Sequence, residues 1–405
     1  MQARADSQTR HFRFRGLRVV YERVPGPITA IALTVRAGAR FDGPLPGLAH
    51  MSEHMLFQGT SELDQLALNR RAADVGSGHN ASTGYESIAL TIEAFNEDFA
   101  GALGLLAEQF YASRVEADRF QKERRIIVDE IRSVEDDPLE YLNERSWQEF
   151  FGAPIGHPIC GTRASLRAMR PEVVTRFLRR YFVNANAVLA IVGGVAEKPV
   201  RAALRSCVRR DRVGSRPRSR SVARKRHGEL LVRGGPRGQG FATRLLEVDA
   251  RPTNLLALGV ALDVVGADPD AGLFQAVRER YGLGYDVYAD LDWGEGWAAA
   301  VLSGSARPGQ EARVARVIDD VLEKSAREGF SPGDLARARR KRRFRYAALS
   351  ERRLDRALAH AECMVTGFPS LDESERIVSR LDDGAIQRAW RRAVTGRSLR
   401  AQLRG

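Results

Sequence analysis

Short apolar runs near the beginning of the chain predict β-strands. Two such runs, 17–21 and 30–35, are separated by a Pro-Gly-Pro turn at 25–27, and this order is typical of strand, turn and strand. Further along, 187–192 is an uninterrupted apolar run followed by two glycines, which predicts a buried strand. The first half of the chain is therefore expected to contain a β-sheet.

Helical patterns lie between these strands. A short helix is predicted over 47–58, with Gly59 as its C-terminal cap. A longer amphipathic pattern covers about 95–112, and another runs from about 116 to a stop at 136–138. Strands and helices together indicate an α+β fold rather than a coiled coil or a disordered chain.

The second half repeats this order of patterns. It has a strand-like run at 254–259, a helix over about 271–281, a strand-like run at 298–302 and two long Arg-rich helical stretches. The final segment, 399–403, stands where the buried strand of the first half stood. The expected fold class is thus α+β, with two homologous α/β-sandwich domains in which a mostly antiparallel sheet is packed by helices.

A basic segment separates the two halves. From 205 to 227 the chain has almost no apolar residues, a proline, two Ser-Arg repeats and one acidic residue, a composition typical of a linker. We predict an N-terminal domain over 10–205, a linker over 206–228 and a C-terminal domain over 229–405. The length of 405 residues supports this division, because a single core usually stops growing below that size.

The chain is strongly basic. Lys and Arg number 64 against 51 Asp and Glu, which gives a formal net charge of +13. Such a balance favours an anionic partner, such as nucleic acid, a membrane surface or an acidic substrate, but an Arg-rich proteome produces it with no binding role. Nucleic-acid binding through the linker and the stretch 337–345 is the weaker hypothesis, because neither region has the interleaved aromatic residues of a single-strand platform.

The cysteines and the apolar stretches indicate a protein of a reducing compartment. Cys160, Cys207 and Cys363 are far apart and form no CxxC pair, so neither a disulfide framework nor a cysteine-based metal site is expected. No segment has the length of a signal-peptide core or of a membrane span. We therefore expect a soluble, cytoplasmic protein with no membrane partner.

The sequence His50-Met-Ser-Glu53-His54 suggests a metal site. Two histidines four residues apart on a helix project from one face, and neutral imidazoles at that spacing can share one zinc ion. Glu53 beside them is a candidate general base. The alternative is two core histidines with a glutamate by chance. With only 7 histidines in the chain, the metal site is the favoured interpretation.

A catalytic zinc site needs a third protein ligand, and a later helical pattern offers two carboxylates. Glu130 shares a helical face with Ile127 and Ile131, and Glu123 lies two turns earlier on that face. A buried carboxylate there needs a cation or a hydrogen-bond partner. A solvated stripe that includes Arg124 explains the local pattern equally well, so the residues alone leave both alternatives open.

The segment GLAHMSEHMLFQGT resembles the inverted zinc motif of the pitrilysin–insulinase family of metallopeptidases. In that family a glutamate some seventy-odd residues downstream completes the site, and Glu130 lies 76 positions after His54 in a similar Ile-Val-Asp-Glu-Ile context. The resemblance implies His50, His54 and Glu130 as ligands of one Zn2+ ion per chain and Glu53 as general base. It also implies Glu123 as a carboxylate that orients the ligand set.

The resemblance continues into a predicted edge strand. The segment 78–83 is similar to the family's Asn-Ala-x-Thr strand, which implies that Asn80 and Ala81 bind the substrate backbone as a peptide is added to the sheet edge. Two positions depart from the family pattern. Relatives often carry Thr and Tyr where this chain has Ile88 and Leu90.

In the second half, the segment 273–287 resembles the one in which the family carries an Arg and a Tyr seven residues apart. The resemblance implies that Arg278 and Tyr285 bind the substrate carbonyl and stabilise the transition state. No position of the zinc set or of the Arg/Tyr set is missing, which disfavours the alternative of a non-catalytic or scaffold subunit.

What the family resemblance implies is a zinc endopeptidase that hydrolyses peptides or unfolded segments in a closed chamber. Family members of this length contain two of the four domains that the chamber needs, so two chains pair as a clamshell-type dimer. Because this chain carries both residue sets, the implied partner is a second copy, with a heterodimer with a paralogue as the alternative. Peptides are the implied substrates.

Overall fold

The computed structural model of the chain describes residues 9–218, 226–233 and 238–404. These residues form two compact units, each a β-sheet with helices packed on it. The first unit consists of the described residues within Met1–Asp129, Pro158–Arg220 and Ala348–Ser370. The second unit consists of the described residues within Glu130–His157, Ser221–Ala347 and Leu371–Gly405. Each unit thus contains one segment from the other half of the sequence, unlike the contiguous ranges 10–205 and 229–405.

The strands of the first sheet are β1 (Thr9–Phe14), β2 (Leu17–Arg23), β3 (Ile28–Val35), β4 (Ser77–Thr83), β5 (Ile88–Phe95) and β6 (Ala187–Gly193). They lie in the order β1-β2-β6-β3-β5-β4. β2 and β6 are parallel, and the other neighbours are antiparallel. The predicted strands at 17–21, 30–35 and 187–192 are confirmed as β2, β3 and β6, which are adjacent interior strands of this sheet. β4 is an edge strand, as predicted for 78–83.

The strands of the second sheet are β7 (Gly228–Val232), β8 (Gly240–Glu247), β9 (Val287–Gly294), β10 (Trp297–Ala306) and β11 (Ser398–Leu403). Their order is β7-β11-β8-β10-β9. β11 is parallel to β7 and antiparallel to β8, just as β6 is parallel to β2 and antiparallel to β3. This common topology confirms the predicted repeat and the α+β fold class.

The helices, in chain order, are α1 (Leu48–Met55), α2 (Gln65–Val75), α3 (Phe99–Ala112), α4 (Ala117–Asp136), α5 (Pro138–Phe151), α6 (Arg163–Ala168), α7 (Pro171–Tyr181), α8 (Glu197–Cys207), α9 (Pro252–Val265), α10 (Gly272–Phe274), α11 (Glu311–Glu328), α12 (Pro332–Glu351), α13 (Arg353–Thr366), α14 (Leu371–Arg380) and α15 (Asp383–Thr395). A π turn, Gln275–Arg280, continues α10. In the described part of the chain, no helix combines the length and the apolar character that a bilayer span requires.

Two predicted elements differ from the structure. The run 254–259, predicted as a strand, lies in α9, which begins with Pro252 in its first turn. Nearly every residue of α9 from Leu255 onward is buried, so the helix has no polar face and no amphipathic period. The helix predicted over 47–58 ends at Met55, because the next three backbone N–H groups bond to carbonyls three residues back rather than four.

Two helices account for the exchange of segments between the units. α13 comes from the second half of the sequence but covers the first sheet, where Ala357, Ala361 and Val365 pack on small apolar residues of β2, β3 and β6. α5 comes from the first half but packs on the second sheet, where Leu142 joins a core cluster with residues of β7, β8 and β11. Each sheet therefore has a helix that sequence order would assign to the other.

A buried ion pair fixes α13 on the first sheet. Glu22 of β2 has no exposed surface, and Arg356 and His360 of α13 are 8% and 7% exposed. The Arg356 guanidinium donates to both carboxylate oxygens at 2.6 and 2.5 Å, and His360 Nε2 lies 2.8 Å from Glu22 Oε2. The buried carboxylate thus has bidentate and imidazole partners, as burial of a charge requires.

Candidate active site

The position of α1 is fixed at its N-terminus. Asp42, which is buried, accepts hydrogen bonds from the backbone N–H groups of Gly47 and Ala49 at 2.7 and 2.8 Å. Burial raises the pKa of Asp42 to about 8, so these two hydrogen bonds, and not a charge at the helix end, connect Asp42 to α1. Gly47 has φ of 87°, and a Cβ there would lie 2.7 Å from the carbonyl oxygen of Cys160. Only glycine fits this close approach.

α1 presents the two histidines of the motif together. The His50 and His54 rings lie 4.6 Å apart, edge to face at 73°. Burial, together with the nearby His54, lowers the pKa of His50 to about 4. His50 is therefore neutral at pH 7 and carries a lone pair for a metal ion, because imidazole binds metals in its neutral form.

α4 brings the third carboxylate to these histidines. One ligand atom each from His50, His54 and Glu130 lies within 4.8 Å of the other two. All three side chains are half-buried. Within the described residues, this is the group of His, Cys, Asp and Glu side chains whose spacing suits a metal ion.

Glu123, one of the two candidate carboxylates on α4, orients His54. It is 4% exposed, and its Oε2 lies 2.9 Å from His54 Nδ1. The contact leaves Nε2 of His54 for the metal cluster, and a carboxylate on the second ring nitrogen is the usual partner of a metal-binding histidine. The burial of Glu123 excludes the alternative that it lies on a solvated stripe.

The three side chains fit a zinc ion. Ligand atoms around tetrahedral zinc lie roughly 3.3 Å apart, since Zn–N and Zn–O bonds are about 2.0–2.1 Å. The ligand atoms of the three side chains lie within 4.8 Å of one another, which is compatible with this spacing. Two imidazoles and one carboxylate form a donor set typical of catalytic zinc, which leaves a position for water or substrate.

Glu53 is oriented from the edge strand. Thr83 Oγ1 of β4 donates a hydrogen bond of 2.5 Å to Glu53 Oε2. Thr83 was not predicted as a site residue, and no signal within the chain's local sequence links it to α1. The contact exists only because the sheet pairs β4 beside β5 and places its end at the zinc-motif helix.

Asn80 and Ala81, the residues predicted to bind the substrate backbone, lie on the edge strand β4. Asn80 is exposed and pairs with Thr91, and Ala81 pairs with Leu90 of β5. Because side chains alternate along a strand, Asn80 points to the face opposite that of Ala81 and Thr83. Leu90 has no exposed surface. Leu90 therefore packs in the core, and its difference from the family pattern changes no surface that substrate could touch.

The second unit brings Arg278 and Tyr285 together. The Arg278 guanidinium carbon lies 4.2 Å from the centre of the Tyr285 ring and 5.1 Å from that of Phe274. Tyr285 is 69% exposed. Both residues line a cavity of about 420 Å³. Arg278 sits in the π turn after α10, a feature that often marks functional sites.

The basic stretch 337–345 is largely paired with carboxylates. Arg342 and Arg345 contact Asp263, Arg339 contacts Asp383, and Lys341 contacts Asp268 and Asp270. Much of the positive charge that suggested nucleic acid is thus neutralised inside the second unit. The linker residues 219–225 lie outside the described residues.

The duplicated sheet and the His-x-x-Glu-His helix together are typical of the inverted-motif class of metallopeptidases. The chain belongs to the insulinase family of peptidases, M16. The family model "Insulinase (Peptidase family M16)" matches residues 18–163, and the model "Peptidase M16 inactive domain" matches residues 168–342. The resemblance drawn from the sequence is thereby confirmed.

Individual relatives agree with this assignment. An uncharacterized zinc protease of Mycobacterium leprae is 30% identical over 337 residues, which are 79% of this chain and 74% of that protein. The crystal structure of a protease from Helicobacter pylori matches with a TM-score of 0.90 at 16% identity, covering 98% of this chain and 100% of the other. A peptidase M16 inactive domain from Pseudomonas fluorescens matches with a TM-score of 0.88 at 17% identity, covering 98% and 97%. The two structures establish the fold.

Proposed function

We propose that this chain is a zinc-dependent endopeptidase that cleaves peptides or unfolded segments. The observation that carries the proposal is the cluster of His50, His54 and Glu130, with Glu53 between the histidines in sequence and Glu123 on the second nitrogen of His54. Family membership supports peptidase chemistry, and the full set of motif residues disfavours a scaffold role.

Each residue has a distinct role in this proposal. Zinc held by His50, His54 and Glu130 would polarise the substrate carbonyl and acidify a water molecule. Glu53 accepts the proton of the attacking water and delivers it to the leaving amine. Thr83 positions the Glu53 carboxylate through its hydroxyl.

Substrate is bound by two further groups of residues. The backbone of β4 at Asn80 and Ala81 offers hydrogen bonds to an extended peptide, because an edge strand has unpaired N–H and C=O groups. Arg278 and Tyr285 donate hydrogen bonds to the carbonyl oxygen as its negative charge develops. Such donors stabilise the transition state more than the bound substrate.

Metal removal tests the proposal directly. The purified protein is expected to contain about one zinc ion per chain, in line with a single three-ligand site. Dialysis against a chelator should abolish cleavage of a mixed peptide library, and Zn2+ but not Mg2+ should restore it, because two imidazole ligands disfavour Mg2+. Mass spectrometry of the library gives the readout. Zinc-free protein with unchanged cleavage would show the proposal to be wrong.

We further propose that the active protein is a dimer, as two copies or with a paralogue, in which each site combines the zinc residues of one chain with Arg278 and Tyr285 of the other. The basis for this step is the implied family arrangement and the presence of both sets in one chain. The dimer encloses the substrate, which restricts it to peptides and unfolded segments.

Mixing two inactive variants tests the shared site. Glu53→Gln and Arg278→Ala chains are each expected to be inactive alone. After they are mixed and re-associated, about a quarter of wild-type activity should return, since half of the dimers are mixed and each contains one intact shared site. Activity of the mixture is measured against each variant at the same total concentration. Inactivity of a mixture whose mixed dimers are verified by native mass spectrometry would contradict sites shared between two copies.

A further inference from the structure

We propose that the cavity beside Arg278 and Tyr285 binds a carboxylate of the peptide substrate, and that Arg307 selects it. This inference rests on the proposed function and adds a substrate class to it. The cavity of about 420 Å³ is large enough for one or two residues of a peptide. Among the described residues that line it are two arginines and no carboxylate.

Arg307 is the cation of this cavity that has no internal partner. It follows the last residue of β10, is exposed, and forms no ion pair with any described residue. Arg278, in contrast, has its flat faces near the rings of Tyr285 and Phe274 and its Nε 3.4 Å from Glu279. Of the two arginines that line the cavity, Arg307 is therefore the one with no carboxylate contact among the described residues.

Several other arginines of the second unit already contact carboxylates within the unit. Arg342 and Arg345 contact Asp263, Arg339 contacts Asp383, and Arg400 contacts both Asp319 and Glu229. Near the cavity, Asp286 is engaged by Gln239, whose Nε2 lies 3.3 Å from its carboxylate. A guanidinium that lines a cavity without such a carboxylate is suited to take one from a ligand, because the planar fork matches a carboxylate in two-point contact.

Part of the cavity wall is bare backbone. A Cβ at Gly282 or Gly238 would meet nothing within 4 Å, and both residues have positive φ, at 56° and 115°. A peptide main chain can therefore approach the wall closely while its carboxylate lies at Arg307. The carboxylate could belong to an Asp or Glu side chain or to the peptide C-terminus, and the two sources share the same chemistry.

Matched peptides separate these sources. The peptides are decapeptides of neutral sequence in which a single Glu is placed at each position in turn. Each has a counterpart with Gln in place of that Glu. Every peptide is made both with a free and with an amidated C-terminus. Dissociation constants are measured by calorimetry on zinc-loaded Glu53→Gln protein, which retains substrate, and kcat/KM is measured on the wild type. Preference for Glu at one position indicates a side chain, and preference for the free acid alone indicates the C-terminus.

The variants identify the residue. Wild type and Glu53→Gln protein are expected to favour one carboxylate form by about 10-fold or more, as for a charge-assisted hydrogen bond. Arg307→Gln should lose this preference, and Arg307→Glu should reverse it towards the neutral counterpart. Arg313→Gln removes the same charge from the exposed surface of α11 and should change nothing.

Two failures can be told apart. Three results would overturn the carboxylate site while leaving peptide cleavage intact. They are equal binding of all carboxylate and neutral peptides, no measurable binding of any peptide, and a preference that survives Arg307→Gln. Selective binding that depends on Arg307, without cleavage of any peptide by the zinc-loaded wild type, would support the carboxylate site and contradict the proposed peptidase activity.

Discussion

Replacement of Glu53 by glutamine is expected to lower kcat for peptide cleavage by about 10²- to 10⁴-fold, the usual contribution of a positioned general base. Glutamine has nearly the same shape but cannot accept the proton of the attacking water. The Thr83 hydroxyl can still donate to its carbonyl oxygen, so the side chain should stay in place. The loss is therefore expected in kcat, with little change in peptide binding.

Control measurements accompany the kcat of Glu53→Gln. Zinc content and thermal unfolding of Glu53→Gln should equal those of the wild type, because Glu53 is not in the ligand cluster. Glu62→Gln changes an exposed glutamate in the loop after α1 and should retain full activity. Thr83→Val removes only the orienting hydroxyl and should lower kcat by about 10-fold. A zinc-loaded Glu53→Gln protein with wild-type kcat would exclude Glu53 as the general base.

Replacement of Arg356 by alanine is expected to lower the free energy of unfolding by about 3–5 kcal/mol, because it leaves the Glu22 carboxylate buried without its main counter-ion. Arg352→Ala, at the N-cap of the same helix, is the matched control. Arg352 pairs with Asp355, but its side chain is 76% exposed, and exposed pairs contribute at most about 1 kcal/mol. Urea unfolding of the three proteins at pH 7 gives the comparison. Equal midpoints for Arg356→Ala and Arg352→Ala would refute this account of α13.

The same ion pair predicts a dependence of stability on pH. Burial alone would raise the pKa of Glu22, but hydrogen bonds from His360 and Arg356 outweigh it and lower the pKa to about 2 from 4.5. Because the folded-state pKa is depressed, the stabilisation is present above about pH 4.5 and is lost as the pH falls from 4.5 to 2. A shift of this size corresponds to about 3 kcal/mol. Glu22→Gln should unfold with a smaller acid-induced loss of stability than the wild type over this range.

The sequence predicted those parts of the fold that have a local pattern. β2, β3, β6 and β10 each contain a short apolar run, and α4 is amphipathic with a stop at 136–138. α9 was predicted as a strand at 254–259 because a short apolar run without a polar face has no period to distinguish helix from strand. Pro252 in its first turn was the one available indication of a helix.

The exchange of α5 and α13 could not have been predicted from the sequence. Both helices have an apolar face, and burial of an apolar face is not directional, so the pattern does not specify which sheet the helix covers. Glu22 also gave no signal, since its partners Arg356 and His360 lie more than 300 positions away. Such long-range pairs become visible only in the folded chain.

The candidate site divides in the same way. His50, Glu53 and His54 were found because their spacing is local to one helix. Glu123 and Glu130 were found as candidates from the apolar face of α4, while their roles came from the family resemblance. Arg278 and Tyr285 came from the resemblance alone.

Helix exchange between the two units has a consequence for cutting the chain. A fragment that ends in the linker would lack α13, so the apolar face at Val20, Ala30 and Ala32 would be exposed to water and Glu22 would lose its partners Arg356 and His360. The remaining fragment would lack α5, which packs on the second sheet. Proteolysis or gene fission at the linker therefore cannot yield two self-sufficient modules, although the duplicated sheets suggest two.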